Sequence, residues 1–548
     1  VTEKKHRVVA VIPAAGLAVR MRPLTDNCSK AMLRVNGKPT IAYILDRMFG
    51  DNCYEFVEVV IVDGKFNDIR EYVERAYSGK PISFVKQDDL TSGPYGAVRI
   101  GIADLFKTND VSVVIWLGDT IVTDEHLPFN TDFLLVKTAV EDQSAWCMTD
   151  GRKFFNKPEV AIEHTKALVG VYCMKQLGTA SLSFVAETRH DDTEISCGLV
   201  RYLDYFPHGT KFDLVEVDGW YDVGSPHTYH STCAALLSRK SRSFNQFSYD
   251  PADHILSKSV DMRNAEAFSK LHAEREWYSS LSWKQSLFCP RVENTYVMDS
   301  AIPVIVMSYE PGVLLSDLAL HENLTQSTWE HYFRNVMNVM FNHFYSTPPT
   351  IEFVMNFKES ARKHWLDRAT GRIHSIANTV HSIMTSGGEL HNATIANVLD
   401  VNSRILSYAS PVGYVHGDLH MGNIVYDIHR DHFILIDPRG IYGDTVTTAG
   451  DIFYDLAKMA HDAYHGYYAI VAGRDRHSDT VRRAFMVVLH EVVRERFPGV
   501  EDHNLLVAHI INAGAVLLAT CIPLHVDNLD RCQRLFDAYR YRSHNAVV

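Results

Sequence analysis

Residues 415–440 read Val-His-Gly-Asp-Leu-His-Met-Gly-Asn-Ile-Val-Tyr-Asp, then a short turn, then Phe-Ile-Leu-Ile-Asp-Pro-Arg-Gly. Asp418 and Asn423 stand five residues apart in a tight polar loop, and an apolar strand from Phe433 to Ile436 delivers Asp437 just before a turn. Phosphoryl transfer from a nucleotide needs this set: one carboxylate to take the acceptor hydroxyl's proton, and an amide with a second carboxylate to hold Mg²⁺. Asp, Asn and Gly also favour plain turns, but a turn requires neither the fixed spacing nor the second carboxylate.

The run His416-Gly417-Asp418-Leu419-His420-Met421-Gly422-Asn423 resembles the catalytic loop of the aminoglycoside phosphotransferase and choline kinase family. The resemblance implies a catalytic Asp418 and metal ligands at Asn423 and Asp437, in a two-lobed α+β, protein-kinase-like domain. Upstream, a strand around His254 to Val260 carries Lys258, and a helical segment from Asn264 to Leu281 carries Glu274. A kinase pairs a strand Lys with a helix Glu so that the Lys is held against nucleotide phosphates, and the two residues fit that order. Ile302 to Tyr309, followed by Glu310-Pro311-Gly312, fits a strand and hinge beside an adenine pocket. The hairpin lacks a Gly-rich phosphate loop, so the resemblance is to small-molecule kinases. The helix expected over 450–458 places Asp451 and Asp455 one turn apart, as supports of the catalytic loop. His416 with His420, and His461 with His465, have a spacing seen in zinc sites, but no Glu follows as in the zinc protease motif.

At 548 residues the chain is too long for one core. A net charge of −12 argues against a general nucleic-acid binder, so anionic nucleotides must be held by local Lys, Arg and backbone N–H groups. Nine scattered cysteines without a Cys-x-x-Cys pair fit reduced thiols in a cytoplasmic protein. The apolar stretch from Leu505 to Pro523 is broken by His509, Asn512 and Gly514 and is expected as a buried helix, with no membrane insertion. The basic start, Lys4-Lys5-His6-Arg7, followed by Val8 to Val19 and broken by Pro13, is expected as a buried strand and loop rather than a signal peptide.

Val8 to Ile12 is a β-branched run of the kind found in buried parallel strands. It leads into Pro13-Ala14-Ala15-Gly16-Leu17-Ala18-Val19-Arg20-Met21-Arg22-Pro23-Leu24-Thr25, whose small residues let the backbone approach a ligand. With Lys30 and Gly37-Lys38-Pro39, this loop resembles the signature of the sugar-phosphate nucleotidyltransferases. That resemblance covers residues 7–235. It implies an α/β domain, Rossmann-like with a mostly parallel sheet. Ala14, Ala15 and Gly16 would bind nucleotide, Arg20 and Lys30 would be catalytic, and Asp119 and Asp222 would hold metal. Gln87 falls where the family reads the base, and Lys157 where it grips the sugar phosphate. The chain departs from the pattern at Ala18-Val19, where the family has Gly-Thr, and at Ser29, where it has Pro.

The expected organisation is a nucleotidyltransferase domain over 1–237, a linker over 238–243, a kinase N-lobe over 244–312 and a mainly helical C-lobe over 313–548. The expected chemistry is bifunctional: phosphorylation of a sugar or sugar-like alcohol by a nucleoside triphosphate, then nucleotidyl transfer to the new phosphate. That would give an NDP-activated precursor for a cell-surface glycan such as a capsule. The expected cofactor is Mg²⁺, with Mn²⁺ as a substitute, and the partners are the alcohol, its phosphate and NTPs, with no nucleic acid. Two alternatives stay open: choline or another amino alcohol as acceptor, and one domain acting only as a nucleotide sensor. Self-association into a homo-oligomer, the acceptor's identity and the base are also open.

Overall fold

The computed structural model describes residues 5–544 except 51–52, 65, 106–110, 139, 141–142, 176–193, 195, 197–198, 201–202, 204–210, 239–245, 251, 262, 294–303, 311, 377–410, 428–429, 475–476 and 527. The chain divides into two compact units, Val1–Leu236 and Leu237–Val548. Residues 239–243 of the expected linker, Phe244 and Pro311 lie outside the described residues.

In the first unit, strand His6–Pro13 lies at the centre of a nine-stranded sheet. It pairs in parallel with Tyr54–Asp63 on one side and with Ser112–Trp116 on the other. Both faces of this strand are covered: Val8, Ala10 and Ile12 enter one apolar cluster and Val9 and Val11 the opposite one. That is why its sequence is continuously apolar rather than alternating. The chain winds first to Tyr54–Asp63 and Ile82–Lys86, then returns past the centre to Ser112–Trp116. The order therefore reverses between His6–Pro13 and Ser112–Trp116, and the crevice beyond the carboxyl ends at such a reversal is where open α/β sheets bind ligands. Beyond Ser112–Trp116 the sheet continues antiparallel through Lys166–Met174.

The second unit begins with an antiparallel sheet in the order Gln246–Asp250, Ile255–Ser259, Val304–Ser308, Val292–Glu293. Helix Ala265–Ser279 packs on it through Ala267 and Leu271, which meet Val260, Ile305 and Met307. Asn264 caps that helix, accepting from Ala267 N–H at 3.0 Å. From Leu315 onward helices dominate, with Gln326–Val339 lying against Asp479–Arg496. Two small antiparallel pieces are set among them: Val313–Leu314, Ile424–Asp427 and His432–Leu435 form one, and Val412–Tyr414 with Ala449–Asp451 the other. Helix His503–Cys521 belongs to the stretch His503–His525, which is long and apolar enough to cross a bilayer; 83% of its most apolar window is buried inside the protein.

Candidate active sites

At the carboxyl end of His6–Pro13 the chain turns into the loop carrying Ala14, Ala15 and Gly16, which line an open cleft with Ser29 and Gly64. Pro13 O accepts from Gly118 N–H at 3.2 Å, so this loop and the residue before Asp119 meet directly. Asp119 leaves the neighbouring strand, and Asp222 is brought to it by register. Trp220–Asp222 pairs antiparallel with Thr120–Val122, Asp222 stands opposite Thr120, and Val223 N–H donates to Asp119 O at 3.0 Å. Gly224 holds the Asp222 carboxylate through its N–H at 2.7 Å, and a Cβ there would lie 2.6 Å from the same oxygen. Lys30 Nζ donates to Asp119 Oδ2 at 2.5 Å.

Burial works against the Asp119 charge, but Lys30 and, after it, Arg20 hold the carboxyl below its ordinary value. Burial and the Asp119 charge push the Asp222 carboxyl up. Two close carboxylates of which one resists ionisation form a site that a divalent cation would relieve, and their oxygens suit Mg²⁺ or Mn²⁺.

The two departures in the loop have distinct physical consequences. Ser29 donates both its N–H and its hydroxyl to the Asp68 carboxylate, at 2.7 and 2.6 Å. Proline at this position would offer neither donor, so a two-bond clasp to the start of helix Asp68–Ala76 fixes the residue before Lys30. Ala18 adopts a left-handed backbone, φ 48°, and its carbonyl accepts from Thr25 Oγ1 at 3.0 Å. A left-handed residue bearing a Cβ costs about 1–2 kcal/mol, which glycine avoids at an entropic cost of about 0.5–1 kcal/mol. Ala18→Gly is therefore expected to raise the stability of the first unit by about 0.5–1 kcal/mol in a urea titration. No gain would mean that the loop relaxes freely.

Gln87 is buried, and its amide nitrogen donates to Asp89 O, Ser92 Oγ and Gly93 O at 3.1, 2.8 and 3.2 Å. These donors shape the loop that begins the next helix. Lys157 is exposed with a left-handed backbone, φ 46°, and among the described residues no contact joins its ammonium to Asp119 or Asp222.

In the second unit Lys258 stands opposite Phe247 in the hairpin and is nearly fully buried. Its ammonium donates to Glu274 Oε2 at 2.6 Å and also bonds the Asp437 carboxylate. Burial pushes the Glu274 carboxyl up against the pull of Lys258, whereas Lys258, flanked by two carboxylates, keeps its charge in spite of burial. The turn after Asp437 reaches this pair because residue 440 is glycine. With φ +63°, Gly440 lies so close to helix Ala265–Ser279 that a Cβ would stand 2.1 Å from Ala273 O. Asp437 is itself left-handed, φ 60°, and its N–H donates to Tyr278 Oη at 3.2 Å.

Asp418 meets Lys458 Nζ at 2.7 Å. Burial is the largest influence on Asp418 and would raise its pKa, but the Lys458 charge and hydrogen bond, together with the neighbouring His420 and His416, hold the carboxyl well below the carboxylate range. Asn423 donates through its amide nitrogen to Asp418 O at 3.0 Å, which turns its carbonyl oxygen away as a hard donor of the kind Mg²⁺ accepts. The loop is pinned from below. Asp455 accepts from His416 N–H and Gly417 N–H, both at 2.8 Å, and Asp462 accepts from Met421 N–H at 2.8 Å. Asp451, expected to share this task, caps its own helix at Phe453 N–H and takes Trp365 Nε1 at 3.0 Å. The histidines with zinc-like spacing serve the backbone: His416 Nε2 bonds Ile436 O, His461 Nδ1 bonds Lys458 O and His465 Nε2 bonds Ile511 O. An amino-alcohol cation would call for an aromatic cage, for which the second unit offers Trp277, Trp283 and Trp365. Trp277 and Trp365 are buried with their indole N–H groups bonded to Val415 O and Asp451, and Trp283 is 72% exposed.

Both units thus present the arrangement of nucleotide-dependent transferases, one at a sheet crevice and one between a hairpin and a helical lobe. Residues 10–170 match the MobA-like NTP transferase domain, and residues 260–475 match the phosphotransferase enzyme family. The chain carries a domain of each family and is an enzyme that joins a nucleotidyltransferase to a phosphotransferase. Three relatives are similar to part of this chain. A UTP–glucose-1-phosphate uridylyltransferase of Haloferax volcanii is 24% identical over 228 residues, 40% of this chain and 91% of that protein. The N-acetylmuramate alpha-1-phosphate uridylyltransferase of Caulobacter vibrioides is 38% identical over 76 residues, 14% of this chain and 30% of that one. The choline-phosphate cytidylyltransferase of Streptococcus pneumoniae is 36% identical over 70 residues, 12% and 28%.

Sequence reasoning did not find the Asp68 clasp, the Lys458 partner of Asp418 or the Asp462 support. Asp68 lies 39 residues from Ser29, and no motif joins them. Lys458 had a signal: it follows Asp455 by three residues, placing both on one helix face toward the loop.

Proposed function

We propose that the second unit transfers the γ-phosphoryl group of a nucleoside triphosphate to a hydroxyl of a sugar or sugar-like alcohol, giving R–O–PO₃²⁻ and a nucleoside diphosphate. The first unit then uses that phosphate to attack the α-phosphorus of another triphosphate, giving an NDP-activated R and releasing pyrophosphate. In the second unit Asp418, ionised and held by Lys458, receives the acceptor hydroxyl's proton, and Lys258, steered by Glu274, steadies the nucleotide phosphates. In the first unit the backbone of Ala14, Ala15 and Gly16 faces the triphosphate, while Lys30 and Arg20 offset its charge. Asp119 with Asp222, and Asn423 with Asp437, are the residues that would hold Mg²⁺, which neutralises and aligns phosphates when bound. Gln87 orders the base-side loop in this reading, and Lys157 lies at the sugar-phosphate end. The product is an activated precursor for a cell-surface glycan made in the cytoplasm, and the free state of every described cysteine supports that compartment.

The observation that carries this reading is that each unit gathers its charged residues from distant parts of the sequence: Lys30, Asp119 and Asp222 in one, Lys258, Glu274 and Asp437 in the other. A choline-type acceptor is the second reading, favoured by the resemblance to a choline-phosphate cytidylyltransferase. The test is a mass-spectrometric screen of purified protein with Mg²⁺, four NTPs and a panel of sugars and amino alcohols. The expected result is a phosphomonoester followed by its NDP-linked form with pyrophosphate. Nucleotidyl transfer without phosphorylation of any alcohol would end the bifunctional reading.

A further inference from the structure

Lys458 stands on helix Ile452–Met459, one turn after Asp455, so the two share the face turned to the catalytic loop. Asp455 is occupied by the His416 and Gly417 N–H groups and by Tyr345 Oη, which donates to it at 3.2 Å. Lys458 meets Asp418 Oδ1 at 2.7 Å. The platform beneath it is tight. Helix His503–Cys521 packs so closely at Gly514 that a Cβ there would lie 2.9 Å from His461 N, and His461 Nδ1 bonds Lys458 O at 2.7 Å.

The ammonium itself is only partly satisfied. Lys458 is 9% exposed, and an ammonium carries three N–H donors. Among the described residues Asp418 is the one side chain that accepts from it. A charge withdrawn from water is costly unless its donors find acceptors, and the remaining donors lie open beside the group that takes the acceptor's proton. Lys258, by contrast, is bonded to two carboxylates. The second oxygen of Asp418 faces a different neighbour, with Asn423 Nδ2 3.5 Å from Oδ2. One carboxylate thus links the ammonium to the residue assigned to Mg²⁺. A phosphoryl group passing to a hydroxyl held by Asp418 arrives within reach of both, because the attacking oxygen becomes its ligand.

We propose that Lys458 is a catalytic residue of the phosphotransferase unit: one N–H stays on Asp418 Oδ1 while another donates to an oxygen of the phosphoryl group in flight. This rests on the phosphotransferase reading above. Lys258 serves the nucleotide side of the transfer and Lys458 the acceptor side. In the step, the hydroxyl oxygen bonds the γ-phosphorus and the bond from that phosphorus to the bridging oxygen breaks. The hydroxyl proton passes to Asp418, and the nucleoside diphosphate leaves with the electron pair. Lys458 keeps its proton throughout and offsets charge on the moving group.

The test compares three variants of the intact protein, using the alcohol that the mass-spectrometric screen identifies. Lys458→Met, which keeps the apolar stem, is expected to lower kcat for phosphoryl transfer about a hundredfold, with KM for nucleotide and alcohol within about threefold of wild type. The double variant Lys458→Met/Asp418→Asn removes both members of the buried pair and leaves no lone charge, so it should fold. Its single-turnover rate should lie at least about tenfold below that of Asp418→Asn alone. A lysine that only holds Asp418 has no carboxylate to hold in Asp418→Asn, and a double variant equal to that single one overturns the proposal. Binding supplies a second readout. Mg·ADP with aluminium fluoride, a mimic of the phosphoryl in flight, should bind wild type at least about tenfold more tightly than Lys458→Met, with Mg·ADP alone binding both alike. The GDP, CDP and UDP counterparts run in parallel. Equal binding of the mimic, or an equal loss for the diphosphate alone, also overturns the proposal. Wild-type protein that phosphorylates no alcohol while nucleotidyl transfer proceeds would instead remove the phosphotransferase reading, and this inference with it.

Discussion

Asp418→Asn is expected to lower phosphoryl transfer to the alcohol by about 10²–10⁴-fold while leaving nucleotidyl transfer from supplied phosphomonoester intact. The substitution keeps the shape of the side chain and removes its charge. It acts at an atom whose partner is Lys458 Nζ, 2.7 Å away, so the loss has two parts. The proton acceptor disappears, and the ammonium that held it is left buried without its counter-charge. The second part predicts a modest drop in stability of the second unit, because an uncompensated buried charge is costly. Asp455 and Asp462 still pin the loop through backbone N–H groups, so folding should survive. Single-turnover kinetics with both substrates supplied separately would check this. Equal loss of the two activities would favour the reading in which one domain senses nucleotide and regulates the other.

Asp119→Asn is expected to do the reverse, lowering nucleotidyl transfer by about a hundredfold or more and sparing phosphorylation. Asp119 is the counter-charge of Lys30 at 2.5 Å and the neighbour whose charge helps keep the Asp222 carboxyl raised. Removing it takes away one of two hard oxygen donors and frees Lys30 from its anchor. It also carries a sign that a merely structural role would not produce: the Asp222 carboxyl should fall toward its ordinary value, since one of the two causes of its rise is gone. A measured pH profile in Mn²⁺, which suits the same oxygen donors, would show that shift. Wild-type transfer in a folded Asp119→Asn protein would remove the pair from the chemistry.

Much of this was legible in the sequence because it is local. The apolar run at Val8–Ile12 dictates a doubly covered strand, the Asp418-to-Asn423 spacing dictates one loop, and Lys258 before Glu274 dictates a strand followed by a helix. These patterns depend on side-chain period and turn chemistry over a few residues, which any chain with that order must express. Both family resemblances rested on such runs, and the two matched domains follow from them.

What faces what was decided only by the tertiary structure. Asp222 meets Asp119 because a two-stranded ribbon sets Asp222 opposite Thr120, and a shift of one residue would turn it to the other side. Gly440 became decisive through a close approach to Ala273 from more than 160 residues away. Gln87 turned its donors into its own loop, Ser29 found Asp68 where the family pattern has proline, and Lys458 reached Asp418. Sequence periodicity fixes which residues an element carries, but long-range packing fixes which of them share a buried space, and the electrostatics of a site belong to that second level.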